Sequence, residues 1–363
     1  MLKEIGSNFW LDIRTIKREI DEEINMSDYG IVGKASVFLS TGRAALAYAI
    51  DDIKSKKGNV PIKALIPPYT CHTVIQPFLD RDINVQTYNI DSKLYIDPNE
   101  FGELVDSFDP DIVLIHRYFG FDTAIGIEEI INKGRCAGRI FIEDRTQNIF
   151  SSFNSLPVDY IIGSFRKWGP IPEGGYCVNT KGGFTIDKPE IEHKELVENK
   201  MYSFQLKNDY MKKDEGEKCF FLKKYVEAEE LLDSEKDYYC MSKVSKAIIK
   251  HGNLEELKQK RQENYNHVYK NLNNGYVAIL TPELSDNDVP LYLAITSDKR
   301  DELQVCLRDK DIYAPIVWPK PKRFPAISNG VEEIYKTVLC FPIDQRYGLD
   351  DMSRMVNTIN SFK

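Results

Sequence analysis

Two neighbouring stretches, RIFIEDRTQ (139–147) and DYIIGSFRKWGPIPEGGY (159–176), decide the fold. Each opens with a short run that is apolar on both faces and closes in polar or turn-forming residues. Runs of that kind are strands of a parallel sheet covered by helices. Outward from them the same texture recurs in KALIP (63–67), NVQTYNI (84–90) and DIVLIH (111–116), with the β-prone SVFLS (36–40) ahead of them. Between the strands lie GRAALAYAIDDI (42–53), a helix pattern, and GIEEIINKG (126–134), a helix expected to close at Gly134. Residues 12–26 also read as an amphipathic helix. After about residue 185 the texture changes. Residues 188–270 are charge-rich and mostly helical, with 258–272 the clearest helix. VAIL (277–280), VPLYLAI (289–295), a helix at 299–309, IYAPIV (312–317), VLCFPI (338–343) and a helix at 349–361 complete the chain. The expected architecture is α/β. Residues 1–245 form a large domain with a mostly parallel sheet, and residues 246–363 a smaller α+β domain.

Composition narrows the function. The chain has 363 residues, 42% of them hydrophobic, enough for a full core. Its formal net charge is -8, with acids and bases interspersed, which argues against nucleic-acid binding. No apolar run is long enough to span a bilayer. The start carries acids and no apolar signal core, and the seven cysteines have no paired spacing. The expectation is a cytoplasmic protein with reduced thiols and neither a zinc nor a disulfide scaffold. No GxGxxG turn follows the first strand, which disfavours a nicotinamide dehydrogenase. No cysteine lies in a mobile-loop motif of the kind a desulfurase needs.

Three clusters fall at strand ends, where ligands bind in open α/β sheets. STGRAAL (40–46) places a small-residue turn at a helix start, with free N–H groups and a dipole that favour an anion. Gly42 admits a phosphate close to the backbone. Alternatively, Ser40 or Thr41 is an ordinary N-cap. IEDRTQ (142–147) ends a strand with Glu143 and Asp144, and a carboxylate there can pair with a protonated ring nitrogen. Gln147 is placed to bond a ring hydroxyl. GSFRKWGPIPEGGY (163–176) sets Ser164 and Lys167 in a rigid, apolar turn. Partial desolvation there lowers a lysine's pKa and frees its amine to attack an aldehyde. Taken singly, each cluster has a structural alternative: a solvated strand end, or a surface lysine beside Arg166.

Together, and in this order, the clusters resemble fold-type I pyridoxal-phosphate (PLP) enzymes, and within them the DegT/StrS-type sugar aminotransferases. The resemblance rests on Thr41 to Leu46, IPPYT (66–70), Asp144 to Gln147, Ser164-Phe165 with Lys167 and Glu173-Gly174-Gly175, and FPIDQRYGLDDM (341–352). It runs from about residue 36 to the C-terminus and implies a seven-stranded-type sheet in the large domain. It implies that Lys167 forms the Schiff base and shuttles protons, Asp144 pairs with the pyridine nitrogen, and Gln147 meets the ring hydroxyl. Thr41, Gly42, Arg43 and Ser164 would bind the phosphate, with Tyr69, Cys71 and His72 near the ring. His at the lysine position marks dehydratases in that family, so Lys167 favours amino transfer. Three departures mark a divergent branch: the Ser164–Lys167 spacing is compressed, Cys71 stands where an aromatic is usual, and Arg43 replaces threonine.

The resemblance further implies an amino acid donor, glutamate by analogy, and a nucleotide-linked keto-sugar acceptor in polysaccharide or related biosynthesis. It also implies a homodimer with interface active sites, toward whose partner residues 200–240 reach. His116 and Arg117 at the end of DIVLIH are expected to face the substrate, and Trp318 either to do so or to pack between the domains. No metal is expected. GSNFW (6–10) is read as an anchor before a helix, and the Lys-rich run 207–224 as a solvated face. The alternatives are a PLP-dependent lyase, dehydratase or carbon–carbon bond enzyme, and a non-catalytic PLP-fold binding protein.

Overall fold

A computed structural model describes residues 2–16, 23–213, 216–235 and 237–363. The chain runs β1 (Ile5–Gly6), β2 (Ala35–Leu39), α1 (Gly42–Lys57), β3 (Lys63–Ile66), α2 (His72–Leu79), β4 (Asn84–Thr87), α3 (Pro98–Phe108), β5 (Ile112–His116), α4 (Glu128–Cys136), β6 (Ile140–Asp144), β7 (Tyr160–Ser164) and β8 (Gly175–Asn179). Four helices follow: α5 (Lys194–Lys212), α6 (Lys218–Ser234), α7 (Lys243–His251) and α8 (Leu254–Asn271). The chain closes with β9 (Ala278–Ile279), β10 (Leu293–Thr296), α9 (Arg300–Arg308), β11 (Ile312–Tyr313), α10 (Asn329–Thr337), β12 (Val338–Phe341) and α11 (Leu349–Asn360).

Seven strands form the central sheet in the order β2-β8-β7-β6-β5-β3-β4. Only β8 runs against the others, pairing antiparallel with β2 and β7. The mostly parallel, helix-covered α/β sheet expected from the apolar strands is therefore present. Both faces are buried. Ala64, Ile112, Leu114 and Ile142 pack under α1 and α2 on one face, while Leu65, Val113, Ile115 and Phe141 join the larger core on the other. Such alternation is what the pleat dictates for strands without a wet face.

The antiparallel sheet β12-β10-β9 carries the second layer of the C-terminal part, and α8, α9 and α11 pack there. The position near 245 taken as the domain boundary falls inside α7. Among described residues IYAPIV contributes only a two-residue strand, and its parallel partner is the N-terminal β1.

Several local readings need correction. The expected helix at 12–26 is absent at both described ends. Ile13–Thr15 is a 3-10 turn capped by Asp12, and Asn25 is extended before a second such turn at Met26–Tyr29. Residues 17–22 lie outside the described residues. The helix of GIEEIINKG continues through Gly134 to Cys136, because Gly134 sits against the Phe141 ring rather than stopping the helix. The run 207–224 is only partly a solvated face: Lys212, Lys213 and Lys223 are exposed, but Lys207 is buried and paired with buried Glu4 at 2.9 Å. β8, α3 and α10 were not anticipated.

Candidate active site

The parallel strands bring five chain segments to one edge of the sheet. The C-terminal ends of β2, β3, β5, β6 and β7 deliver Thr41–Arg43, Tyr69–His72, His116–Arg117, Asp144–Gln147 and Ser164–Lys167 respectively. A cavity of about 250 Å³ opens there. Of the residues expected at a site, Thr41, Gly42, Arg43, Cys71, His72, His116, Arg117, Asp144, Gln147, Ser164, Lys167 and Trp318 all line it. Tyr69 does not. It is buried behind Trp318, edge-on to that indole at 5.0 Å and to Tyr335 at 4.9 Å.

The turn into α1 is built to receive an anion. Thr41 caps the helix, its Oγ1 accepting from Ala44 N at 2.9 Å. That cap leaves the Gly42 and Arg43 amides at the N-terminus without intrahelical acceptors, where the helix dipole is positive. A Cβ on Gly42 would stand 3.2 Å from the Ser164 Cβ and 3.6 Å from Thr146 Oγ1, filling the cradle between them. Behind the turn, a Cβ on Gly175 would lie 2.1 Å from Thr41 O, so only glycine lets β8 cross there. Ser164 Oγ donates to Gly174 O at 3.2 Å. Arg43 reaches away from the turn, donating to Leu232 O and pairing with Asp233 at 3.4 Å.

Asp144 ends β6 pointing into the cavity, whereas Glu143, one residue earlier, faces the opposite side and pairs with Arg117 at 3.4 Å. Asp144 Oδ1 accepts from Thr146 N at 2.8 Å, and Oδ2 lies 3.1 Å from His116 Nε2. Burial alone would raise its pKa, but His116 and the Thr146 bonds outweigh burial and hold it below the usual value. Asp144 is therefore an anion in a buried site. Gln147 is fixed through its Oε1, which accepts from Phe119 N at 2.7 Å. Arg117 also bonds Asn154 O and Asp122, so its charge is already satisfied by protein.

Lys167 sits in the β7–β8 connection, a 3-10 turn at Phe165–Lys167. Its side chain is accessible and opens into the cavity, with Arg166, Cys71, Glu229 and Asp144 as its electrostatic neighbours. Desolvation, then the neighbouring Arg166 guanidinium, push its pKa down; Cys71, Glu229 and Asp144 oppose the shift less strongly. The amine is thus biased toward its neutral, nucleophilic form. The turn is rigid. The Trp168 indole donates to Thr146 O at 2.8 Å and meets Phe150 edge-on, and Gln345 Nε2 donates to Trp168 O at 2.7 Å.

Sequence reasoning missed the contribution of α6. Glu229, Leu232 and Asp233 line the cavity, and Glu229 accepts two bonds from Arg166, at 2.8 and 3.1 Å, and one from buried Lys200. Within the stretch 200–240 expected to reach a partner, the last turns of α6 thus pack over their own chain's site. Nothing local in that charge-rich helix marks Glu229; only the tertiary fold brings it to Arg166. Tyr292 and Thr146 also line the cavity unanticipated.

No family model and no curated protein matches this chain. Solved structures do. PseC of Helicobacter pylori, an aminotransferase involved in the biosynthesis of pseudoaminic acid, aligns with a TM-score of 0.65 at 13% identity, covering 92% of this chain and 88% of that one. A DegT DnrJ EryC1 StrS aminotransferase from Brucella abortus gives 0.64 at 15% identity, over 92% and 86%. The ntda protein of Bacillus subtilis, solved with bound cofactor PMP, gives 0.63 at 16%, over 90% and 73%. At these identities the likeness establishes the fold, which is that of DegT-type aminotransferases.

Proposed function

We propose that this chain is a PLP-dependent aminotransferase. It moves an amino group from an amino acid, glutamate, to a nucleotide-linked keto-sugar in polysaccharide or related biosynthesis. One observation carries the reading: an anion-binding helix turn, a buried carboxylate and a desolvated lysine converge on one cavity. The aminotransferases of the same fold support the reaction class, and the PMP of the Bacillus subtilis protein supports the cofactor. The same reading makes the enzyme a cytoplasmic homodimer. No described helix is long and apolar enough to cross a membrane.

The residues fit the cofactor. Thr41, Gly42, Arg43 and Ser164 would take its phosphate, in the cradle that a Cβ at 42 would fill. Asp144 would hold the proton on the ring nitrogen, Gln147 would bond the ring hydroxyl, and Cys71 and His72 would flank the ring. When bound, PLP supplies an aldehyde and an electron-withdrawing pyridinium. Lys167 offers the attacking amine, takes a proton from the donor's carbon in the first half-reaction and returns one to the acceptor's carbon in the second. Trp318, held by Tyr69 and Phe119, lines the cavity and would give the substrate an apolar wall.

The test is direct. Purified protein given PLP should absorb near the visible edge, lose that band to borohydride, and carry the reduced cofactor on the Lys167 peptide by mass spectrometry. Nitrogen from labelled glutamate should appear in a keto-sugar acceptor. A colourless protein, or a label on another lysine, overturns the reading.

A further inference from the structure

Lys167 lines a second cavity, of about 480 Å³, on the side of the C-terminal antiparallel sheet. The two cavities share Lys167, Leu291 and Tyr292, so one lysine faces both. Gly6–Phe9 line one wall of the second cavity, held by β1–β11 pairing and by Gly6 N donating to Tyr347 Oη at 2.7 Å. Its charges are strongly one-sided. Lys167, Arg261, Arg308 and Arg346 line it against a single carboxylate, Asp344.

That carboxylate is spoken for. Arg346 binds Asp344 through two bonds, at 2.7 and 2.8 Å. Arg261 has no such partner. Its guanidinium is fully buried, stacked 4.7 Å from the Trp168 ring, and bonds only neutral acceptors: Gln345 Oε1 and the carbonyls of Pro290 and Leu291. A buried cation lacking a counter-ion costs free energy that an anion can recover. Burial accordingly depresses its pKa to about 10, the more distant Asp344 only partly opposing. Arg308, at the end of α9, is exposed and makes no ion pair among the described residues.

We propose that this second cavity seats the reacting substrate beside Lys167, and that Arg261 and Arg308 bind the substrate's anionic oxygen group. The inference rests on the reading of Lys167 as the reactive amine. The group is a carboxylate if the site takes the amino donor, or a phosphate if it takes the acceptor. Planar guanidinium forks suit both, with charge-assisted bonds.

The experiment uses the protein reconstituted with PLP, with glutarate and pyrophosphate as probes in titration calorimetry. Arg308→Gln removes one anchor at an exposed position, and Lys310→Gln removes a neighbouring exposed cation that does not line the cavity. We expect the cofactor absorbance to be unchanged in both variants. Arg308→Gln should bind glutarate or pyrophosphate at least about tenfold more weakly, as loss of a charged hydrogen bond implies; Lys310→Gln should bind as wild type. Weakened glutarate identifies the donor side, and weakened pyrophosphate the acceptor side. Arg261→Lys, which keeps charge but loses the fork, should weaken the same probe. The proposal is overturned if neither probe binds wild type at millimolar concentration, if Arg308→Gln binds both as wild type does, or if Lys310→Gln weakens them equally. Failure of the cofactor band in wild type would instead refute the aminotransferase reading.

Discussion

Glu173 gives the sharpest quantitative expectation. It lies in the turn after Lys167, 1% exposed, and Oε1 accepts from Ser242 N at 2.9 Å, Ser242 Oγ at 2.5 Å and Ser245 Oγ at 2.8 Å. Oε2 is buried with no partner. Burial pushes the pKa up to about 7 from 4.5, the serine bonds opposing it incompletely. A carboxyl whose folded pKa is raised stabilises most below its unfolded pKa, and that stability is lost as pH rises through the folded pKa. The shift of roughly 2.5 units is worth about 3 kcal/mol at 1.36 kcal/mol per unit, nearly all of it missing at pH 8. At pH 5 the loss is only about 1 kcal/mol. Glu173→Gln keeps the Oε1 acceptor and removes the charge. It should therefore stabilise the protein by about 3 kcal/mol at pH 8, but by about 1 kcal/mol at pH 5. For a chain of this length that is a melting-point gain of about 4 °C at pH 8. Thermal melts of both proteins at the two pH values measure it. A variant that melts at or below wild type at pH 8 would refute the reasoning.

Two further outcomes follow from the site's geometry. Gly175→Ala places a Cβ 2.1 Å from Thr41 O and 2.8 Å from Gly42 N, backbone atoms that cannot swing aside. It should cost about 3 kcal/mol and lower cofactor affinity together, read by urea unfolding and PLP titration; wild-type values for both would contradict the close crossing. Glu229→Gln removes an anion that holds the Lys167 pKa up. The acid limb of the pH–rate profile should move down, and an unmoved or upward-shifted limb would contradict the electrostatic role.

What was legible in the sequence was what local chemistry writes down. Short runs such as IFIED and YIIGS are apolar on both faces because helices cover both sides of the sheet, and that pattern needs no tertiary knowledge. Strand ends were legible for the same reason: Asp144 and Lys167 interrupt apolar runs where the strand stops. β8 was not. It opens on Gly175, which after Gly174 reads as turn, and only the crossing behind Thr41 explains glycine within a strand. Lys207 and Lys218 read as solvated because their partner Glu4 lies some two hundred residues away. Tyr69 was placed at the ring because it precedes Thr70 and Cys71. The chain turns it instead into an aromatic cluster with Tyr118, Trp318 and Tyr335.

The terminal segment FPIDQRY shows how a distant motif supports the lysine. Gln345 is bifunctional: its amide donates to Trp168 O, next to Lys167, and its carbonyl accepts from Arg261 Nε at 2.9 Å. Asp344 and Arg346 on either side bind each other, and Arg346 also caps the Asn8 carbonyl at 2.9 Å. One seven-residue stretch therefore ties the lysine turn, the buried Arg261 and the N-terminal residues Ser7 and Asn8 together. A side chain on a strained surface turn would sample many rotamers, and a reactive amine gains from having few. The compressed Ser164–Lys167 spacing is tolerable in this light. The turn is held less by its own length than by Trp168 below it and by Gln345 from the C-terminal part of the chain. Loosening Gln345 should therefore disturb Lys167 and the cavity beyond it together, although Gln345 touches no reacting atom.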